Sequence, residues 1–209
     1  KRKINILTNT LVSKLEKKTT KVKIHLKEGS LIDAEKVLIA TGVKGNIEGL
    51  GLEDCNISIH KDYIKVNEFM ETNVENIYAI GDVAGPPWLA HVASAEGIIA
   101  VEKIAGLDPD PMLYDNIAGC TYCDPEVASV GLTEKVAKEQ GYDLKIGKFP
   151  FRGLGKSMAI GNIDGFVKVI YDAKYGEMLG CHIIGSEATN LISEASIARK
   201  LETTHKEIL

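Results

Sequence analysis

The sequence contains no apolar run approaching the ~20 residues needed to cross a bilayer as a helix, and no secretory leader opens it. Neither a membrane nor an export address is expected, and the default location is the cytoplasm, or the mitochondrial matrix in a eukaryote. Basic residues are in the minority, 25 Lys and Arg against 29 Asp and Glu, for a formal net charge of -4. With no basic stripe, nucleic acid is not an expected partner, and Lys1-Arg2-Lys3 reads as a solvated end. Cysteine is scarce: four residues, of which only Cys120 and Cys123 are suggestively spaced. No second ligand pair accompanies them, so a zinc site is not expected. The pair reads as part of a strand, where residues three apart point to opposite faces, which disfavours a dithiol. A content of 44% apolar and 26% charged residues excludes disorder as the main state, and 209 residues suit one or two domains.

The most informative segment is Thr72 to Asp82. Ile77 to Ile80 form a short apolar run that reads as a buried strand delivering Gly81 and Asp82 at its carboxyl end. Ligands sit there in open α/β sheets, the glycine allowing close backbone approach and the carboxylate accepting hydrogen bonds from sugar hydroxyls. Taken alone, Gly-Asp is a common turn former. Gly85-Pro86-Pro87 then makes a rigid turn, and from about Leu89 the pattern becomes helical. Val92, Ala95, Ile98 and Ile99 lie on one side, with Glu96, Glu102 and Lys103 largely on the other. The helix amino terminus could stabilise an anionic, electron-accepting ring.

Upstream, Asn5 to Thr10, Lys21 to Lys27 and Val37 to Ala40 read as strands. Asp108-Pro109-Asp110-Pro111 reads as a linker. Beyond it, strands are expected over 117–122, 127–131, 144–150, 165–172 and 178–184, with helices starting near Thr133 and Ala188. Thr133 can cap the first helix and Gly141 end it. Hairpin-length links such as Ala173 to Gly176 favour an antiparallel sheet. Leu191, Ala195, Ala198 and Leu201 recur at helical spacing, and Thr204-His205-Lys206-Glu207 forms a capping box for a further helix.

Four ordered blocks carry a family likeness: Val37-Leu38-Ile39-Ala40-Thr41-Gly42, Thr72 to Asp82, Leu89-Ala90-His91, and Cys120 to Glu134. With these the chain resembles the carboxyl-terminal half of the flavin-dependent pyridine nucleotide-disulfide oxidoreductases, in their dihydrolipoamide dehydrogenase branch. The resemblance implies an α/β fold: parts of NAD- and FAD-binding Rossmann-like domains (1–42 and 43–112), then an α+β dimerisation domain with an antiparallel sheet (113–209). It implies that Gly81 and Asp82 meet the ribityl or pyrophosphate side of FAD. Leu89, Ala90 and His91 would lie at the pyrimidine edge of the flavin, Gly42 between flavin and nicotinamide, and Val12 at a backbone contact to NAD.

The resemblance further implies a homodimer that oxidises dihydrolipoamide, with lipoyl domains of 2-oxo acid dehydrogenase complexes as partners. Glutathione reductase, mercuric reductase and transhydrogenase remain alternatives within the family, as does a noncatalytic flavin-binding or dimerisation module. The chain departs from the pattern at Val43-Lys44-Gly45-Asn46, where a basic residue and a proline are usual, and at Trp88, Ala118 and Asn190. Four motifs of the active enzyme are missing: the first glycine motif, the redox disulfide, the second glycine motif and the terminal His-Pro with its glutamate. Three are expected upstream of Lys1 and one downstream of Leu209, so no catalytic residue is assigned. His91 is the single histidine placed in a site; His25, His60, His182 and His205 read as structural or solvated.

Overall fold

The computed structural model describes residues 4–208, so the Lys1-Arg2-Lys3 end lies outside the described residues. They divide after Val43 into two units.

The first unit is an antiparallel sheet of β1 (Val12–Lys17), β2 (Val22–Leu26) and β3 (Leu31–Ala34), in that order. Leu15, Ile24 and Ile32 stand opposite one another across the three strands, stacking apolar side chains on one face. The strand expected over Lys21 to Lys27 is β2, whereas the other two expected strands are not formed. Asn5 to Thr10 runs into a turn, with Asn9 at φ 55°, and the strand begins two residues later. Val37 to Ala40 pairs with nothing among the described residues, leaving Leu38 91% and Ile39 67% exposed. A buried strand exists only where neighbouring strands take its N–H and C=O groups, and here none does.

The second unit opens with a small hairpin, β4 (Ile59–His60) and β5 (Tyr63–Ile64), over a cluster of Leu52, Ile64 and Ala79. Ile77 to Ile80 is likewise not a strand. Thr72 N–H donates to Ile77 O at 2.9 Å, Ala79 N–H to Met70 O at 3.1 Å, and Glu71 and Tyr78 form an isolated bridge. These bonds keep the segment extended without a ladder. A 3-10 turn, Gly81–Ala84, follows, and then α1 (Ala90–Ile104). The helix begins where expected, but its buried side differs: Val92 and Ile99 are buried, Ile98 is 62% exposed, and Glu96, expected outside, is 3% exposed.

The remainder is a five-stranded antiparallel sheet of β6 (Gly119–Thr121), β7 (Glu126–Gly131), β8 (Leu144–Pro150), β9 (Phe166–Asp172) and β10 (Met178–Gly185), in the order β6-β7-β10-β9-β8. Helices α2 (Glu134–Glu139), α3 (Gly155–Ile160), α4 (Ala188–Lys200) and α5 (His205–Ile208) join it. Thr133 caps α2, its hydroxyl accepting from Val136 N–H at 3.2 Å, and Gly141 ends it at φ 84°. The Ala173 to Gly176 link closes the β9–β10 hairpin, where Tyr175 N–H donates to the buried Asp172 carboxylate at 2.8 Å. On one face Ala188, Ile192 and Ala195 of α4 pack on Ala128, Val130, Cys181 and Ile183; on the other, Ala137 of α2 packs with Ile170 and Leu179. Burying each of Ile170, Ile192 and Val130 contributes roughly 1.5–3 kcal/mol. The capping box forms, with Thr204 N–H donating to Glu207 Oε2 at 2.7 Å at the start of α5. Helix α3 was not expected, because Gly155 opens it without a capping side chain.

Candidate functional site

Small residues let the Gly81–Ala84 turn lie directly on α1. Gly81 sits at φ 71°, and a Cβ there would stand 3.2 Å from Ala93 Cβ. On the far side Gly45 is forced to be glycine by closeness alone, since its Cβ would lie 2.5 Å from Asp62 O and 3.2 Å from Asp82 O. Local sequence read Gly45 only as part of a departure from a family pattern; its packing role depends on residues 17 and 37 positions away.

A buried carboxylate fastens the turn. Gly81 N–H donates to Glu96 Oε2 at 2.6 Å, and the Tyr114 hydroxyl donates to Glu96 Oε1 at 2.7 Å. Burial first, and the carboxylate second, push the Tyr114 hydroxyl well above its ordinary range, so it remains a proton donor. Sequence reasoning missed Glu96 by assigning it to the solvent side with Glu102. A usable signal was present: Glu96 falls in helical phase with Val92 and Ile99, four residues after one and three before the other.

The amino end of α1 is uncapped by any side chain. Leu89 O accepts from Val92 and Ala93 N–H at 3.0 and 3.1 Å, while Ala90 and His91 N–H meet no acceptor among the described residues. Those donors, at the positive end of a fifteen-residue helix, face solvent together with the exposed Asp82 carboxylate. A turn that glycine lets lie close on the helix, an acceptor for hydroxyls and a donor pair for a delocalised anion fit a flavin nucleotide. The structure therefore gathers Gly81, Asp82, Leu89, Ala90 and His91 on and around one helix. Gly42 and Val12 belong to the first unit, both exposed, Gly42 at φ 100° with open space around it and Val12 opening β1.

Other sequence candidates are brought to no common site. Cys120 is half-buried in β6, but Cys123 lies beyond the strand in the following turn, with its thiol 3.0 Å from Pro125 O. This corrects the expectation that both lie in one strand. Burial pushes the Cys181 thiol up to about 11. His182 lies 3.0 Å from Leu132 O, and His205 packs edgewise on Tyr171. Among the described residues no three His, Cys, Asp or Glu side chains are grouped to hold a metal, and no helix is long and apolar enough to cross a membrane.

Comparison with known proteins bears on the same regions. Residues 1–97 match the family described as pyridine nucleotide-disulphide oxidoreductase, and residues 117–209 match that family's dimerisation domain. The chain is 47% identical over 214 residues to a dihydrolipoyl dehydrogenase of Rhizobium etli, covering 100% of this chain and 44% of that protein. It is 51% identical over 173 residues to one of Zymomonas mobilis, covering 82% of this chain and 37% of that protein. The chain thus spans under half the length of these curated relatives. Among solved structures, LpdA of Mycobacterium tuberculosis superposes with a TM-score of 0.86 at 25% identity, over 94% of this chain and 43% of that one. The HOCl-induced flavoprotein disulfide reductase RclA of Escherichia coli shares the fold, with a TM-score of 0.84 at 21% identity, over 95% of this chain and 46% of that one.

Proposed function

The chain belongs to the pyridine nucleotide-disulphide oxidoreductase family, and we propose that the intact protein is an FAD-dependent dihydrolipoyl dehydrogenase. It oxidises the two thiols of dihydrolipoamide to a cyclic disulfide, and the electron pair leaves as a hydride on NAD⁺ with release of one proton. FAD, when bound, supplies the ring that relays the electron pair between a redox disulfide and the nicotinamide. That disulfide lies in a part of the protein other than this chain, whose four cysteines lack its spacing.

This chain's residues bind and orient. Gly81 gives the nucleotide close access to the turn, and the Asp82 carboxylate accepts from ribityl hydroxyls or, through an intervening donor, meets the pyrophosphate side. The free N–H groups of Ala90 and His91, with Leu89 beside them, hold the pyrimidine edge and favour negative charge there. Gly42 lies between the flavin and nicotinamide sites, and Val12 offers NAD a backbone contact. On this reading residues 1–42 end the NAD-binding domain, 43–112 belong to the FAD-binding domain, and 113–209 form the dimerisation domain of a homodimer. Lipoyl domains of 2-oxo acid or glycine-cleavage complexes deliver the substrate, in the cytoplasm or mitochondrial matrix.

The observation that carries the reading is the uncapped amino end of α1 beside the Gly81-Asp82 turn, in a chain so similar to named dihydrolipoyl dehydrogenases. The test is NADH formation by the full-length, FAD-loaded protein with dihydrolipoamide. Turnover dependent on both NAD⁺ and the dithiol is expected. Reduction of glutathione disulfide or mercuric ion without dihydrolipoamide turnover would move the protein to another branch. Bound flavin with no turnover at all would make it a binding module.

A further inference from the structure

Glu96 contradicts the rule that charged residues avoid the interior: at 3% exposure it is among the most buried side chains of the described residues, on a helix with exposed faces available. Burying a carboxylate is costly, and an apolar residue of similar volume would often be more stabilising. What the carboxylate supplies is geometry. One oxygen takes the half-buried Gly81 N–H, and the other takes the Tyr114 hydroxyl, which also approaches Met70 Sδ at 3.8 Å.

Tyr114 is itself held. It opens a 3-10 turn, Tyr114–Asn116, whose next two residues are gripped from α4 by Arg199, through Nη2 to Asp115 Oδ2 at 2.8 Å and Nη1 to Asn116 Oδ1 at 3.0 Å. Arg199 Nε also donates to Leu179 O of β10 at 3.1 Å. Hydrogen bonds from the Gly81-Asp82 turn through Glu96 to Tyr114, and from Asp115 and Asn116 to Arg199 of α4 and on to β10, are thus joined by the backbone of one short 3-10 turn.

We propose that Glu96 is a positioning residue for the flavin: its buried carboxylate fixes the Gly81-Asp82 turn on α1 and, through Tyr114, locks that turn to the antiparallel-sheet region. The inference rests on the flavin lying at this turn. Glu96 acts through Gly81 and touches no cofactor atom itself.

The test is the rate of FAD release from the full-length, flavin-loaded protein, followed by flavin fluorescence, in E96A, E96Q, Y114F and D82A. Loss of both hydrogen bonds in E96A speeds release about tenfold, and loss of one in Y114F about threefold. E96Q stays within about twofold of the unsubstituted protein, because its amide oxygen can keep Gly81 while its amide nitrogen donates to the Tyr114 oxygen. Unchanged release in E96A, with only a lower melting temperature, marks a purely structural residue and overturns the inference; if E96A does not fold, unchanged release in Y114F does so. D82A separates the two layers of the argument. Fast release in D82A with unchanged release in E96A removes Glu96 from the flavin site and leaves the site standing. Unchanged release in both variants removes the site as well.

Discussion

Every strand of the five-stranded sheet finds its partners between Gly119 and Gly185, whereas the apolar runs Val37 to Ala40 and Ile77 to Ile80 find no ladder among the described residues. The first region is closed: α4 covers one face, α2 part of the other, and Ile170 is fully buried. The second is divided: Leu38 is nine-tenths exposed, while Ala79 is buried with Leu52 and Ile64 without belonging to a ladder. The contrast teaches that apolar composition sets the demand for burial, while a strand forms only where other strands supply hydrogen bonds. It also matches the lengths: the chain spans 44% of its Rhizobium etli relative, so surfaces open here are proposed to be covered in the whole protein.

The contrast can be broken most forcefully from the closed side. Ile170→Ala should cost about 2–5 kcal/mol in a denaturant titration of this chain, the usual range for a core truncation. An effect below about 1 kcal/mol would show that the sheet is looser than described. Arg199→Ala comes next. It removes charge-assisted bonds to Asp115 and Asn116 and should cost roughly 1.5–3 kcal/mol by the same titration.

Glu134 offers a smaller, pH-dependent effect. Hydrogen bonds from Lys138 and Lys168 hold its carboxyl down at about 2 in the fold, against an ordinary value of 4.5. Its contribution is thus present above the unfolded value and lost as pH falls from 4.5 through the folded value. The stability gap between the unsubstituted chain and Glu134→Gln should narrow over that interval and be flat at neutral pH, in thermal melts at stepped pH. Because Lys138 is exposed and Glu134 and Lys168 are only half-buried, solvent screens these ion pairs and the gap is expected to be the smallest of the three. Leu38→Ala then sharpens the comparison by doing almost nothing: a change within about 0.5 kcal/mol in this chain, against about 2–5 kcal/mol in the full-length protein if the run is buried there. Equal small effects in both would mean that Leu38 never acquires partners.

Legibility in the sequence followed the same division. The sheet of residues 119–185 was readable strand by strand, since its turns, its Thr133 cap and its Gly141 stop are local signals, even though β7 pairs with β10 from Gly131–Gly180 to Glu126–Gly185. Strands β1 and β3 were missed because Lys14, Glu16, Lys17 and Asp33 interrupt the apolar alternation. The helix start at Leu89 was legible from prolines and periodicity, but the inward turn of Glu96 was not. That choice depends on Gly81 and Tyr114, which lie 15 and 18 residues away. Gly81, Asp82, Leu89, Ala90 and His91 could be named because they sit in short, ordered blocks. Gly42 likewise closes one of those blocks, whereas nothing local to Val12 marks it as more than an exposed strand start.

The central claim is that the Gly81-Asp82 turn and the amino end of α1 hold FAD, and a side-chain-resolution structure of the full-length, FAD-loaded protein tests it most directly. The account predicts the flavin's pyrimidine edge beside Leu89 at the N–H groups of Ala90 and His91, with the ribityl or pyrophosphate side at Gly81 and Asp82. A flavin bound with none of these residues in contact would contradict it.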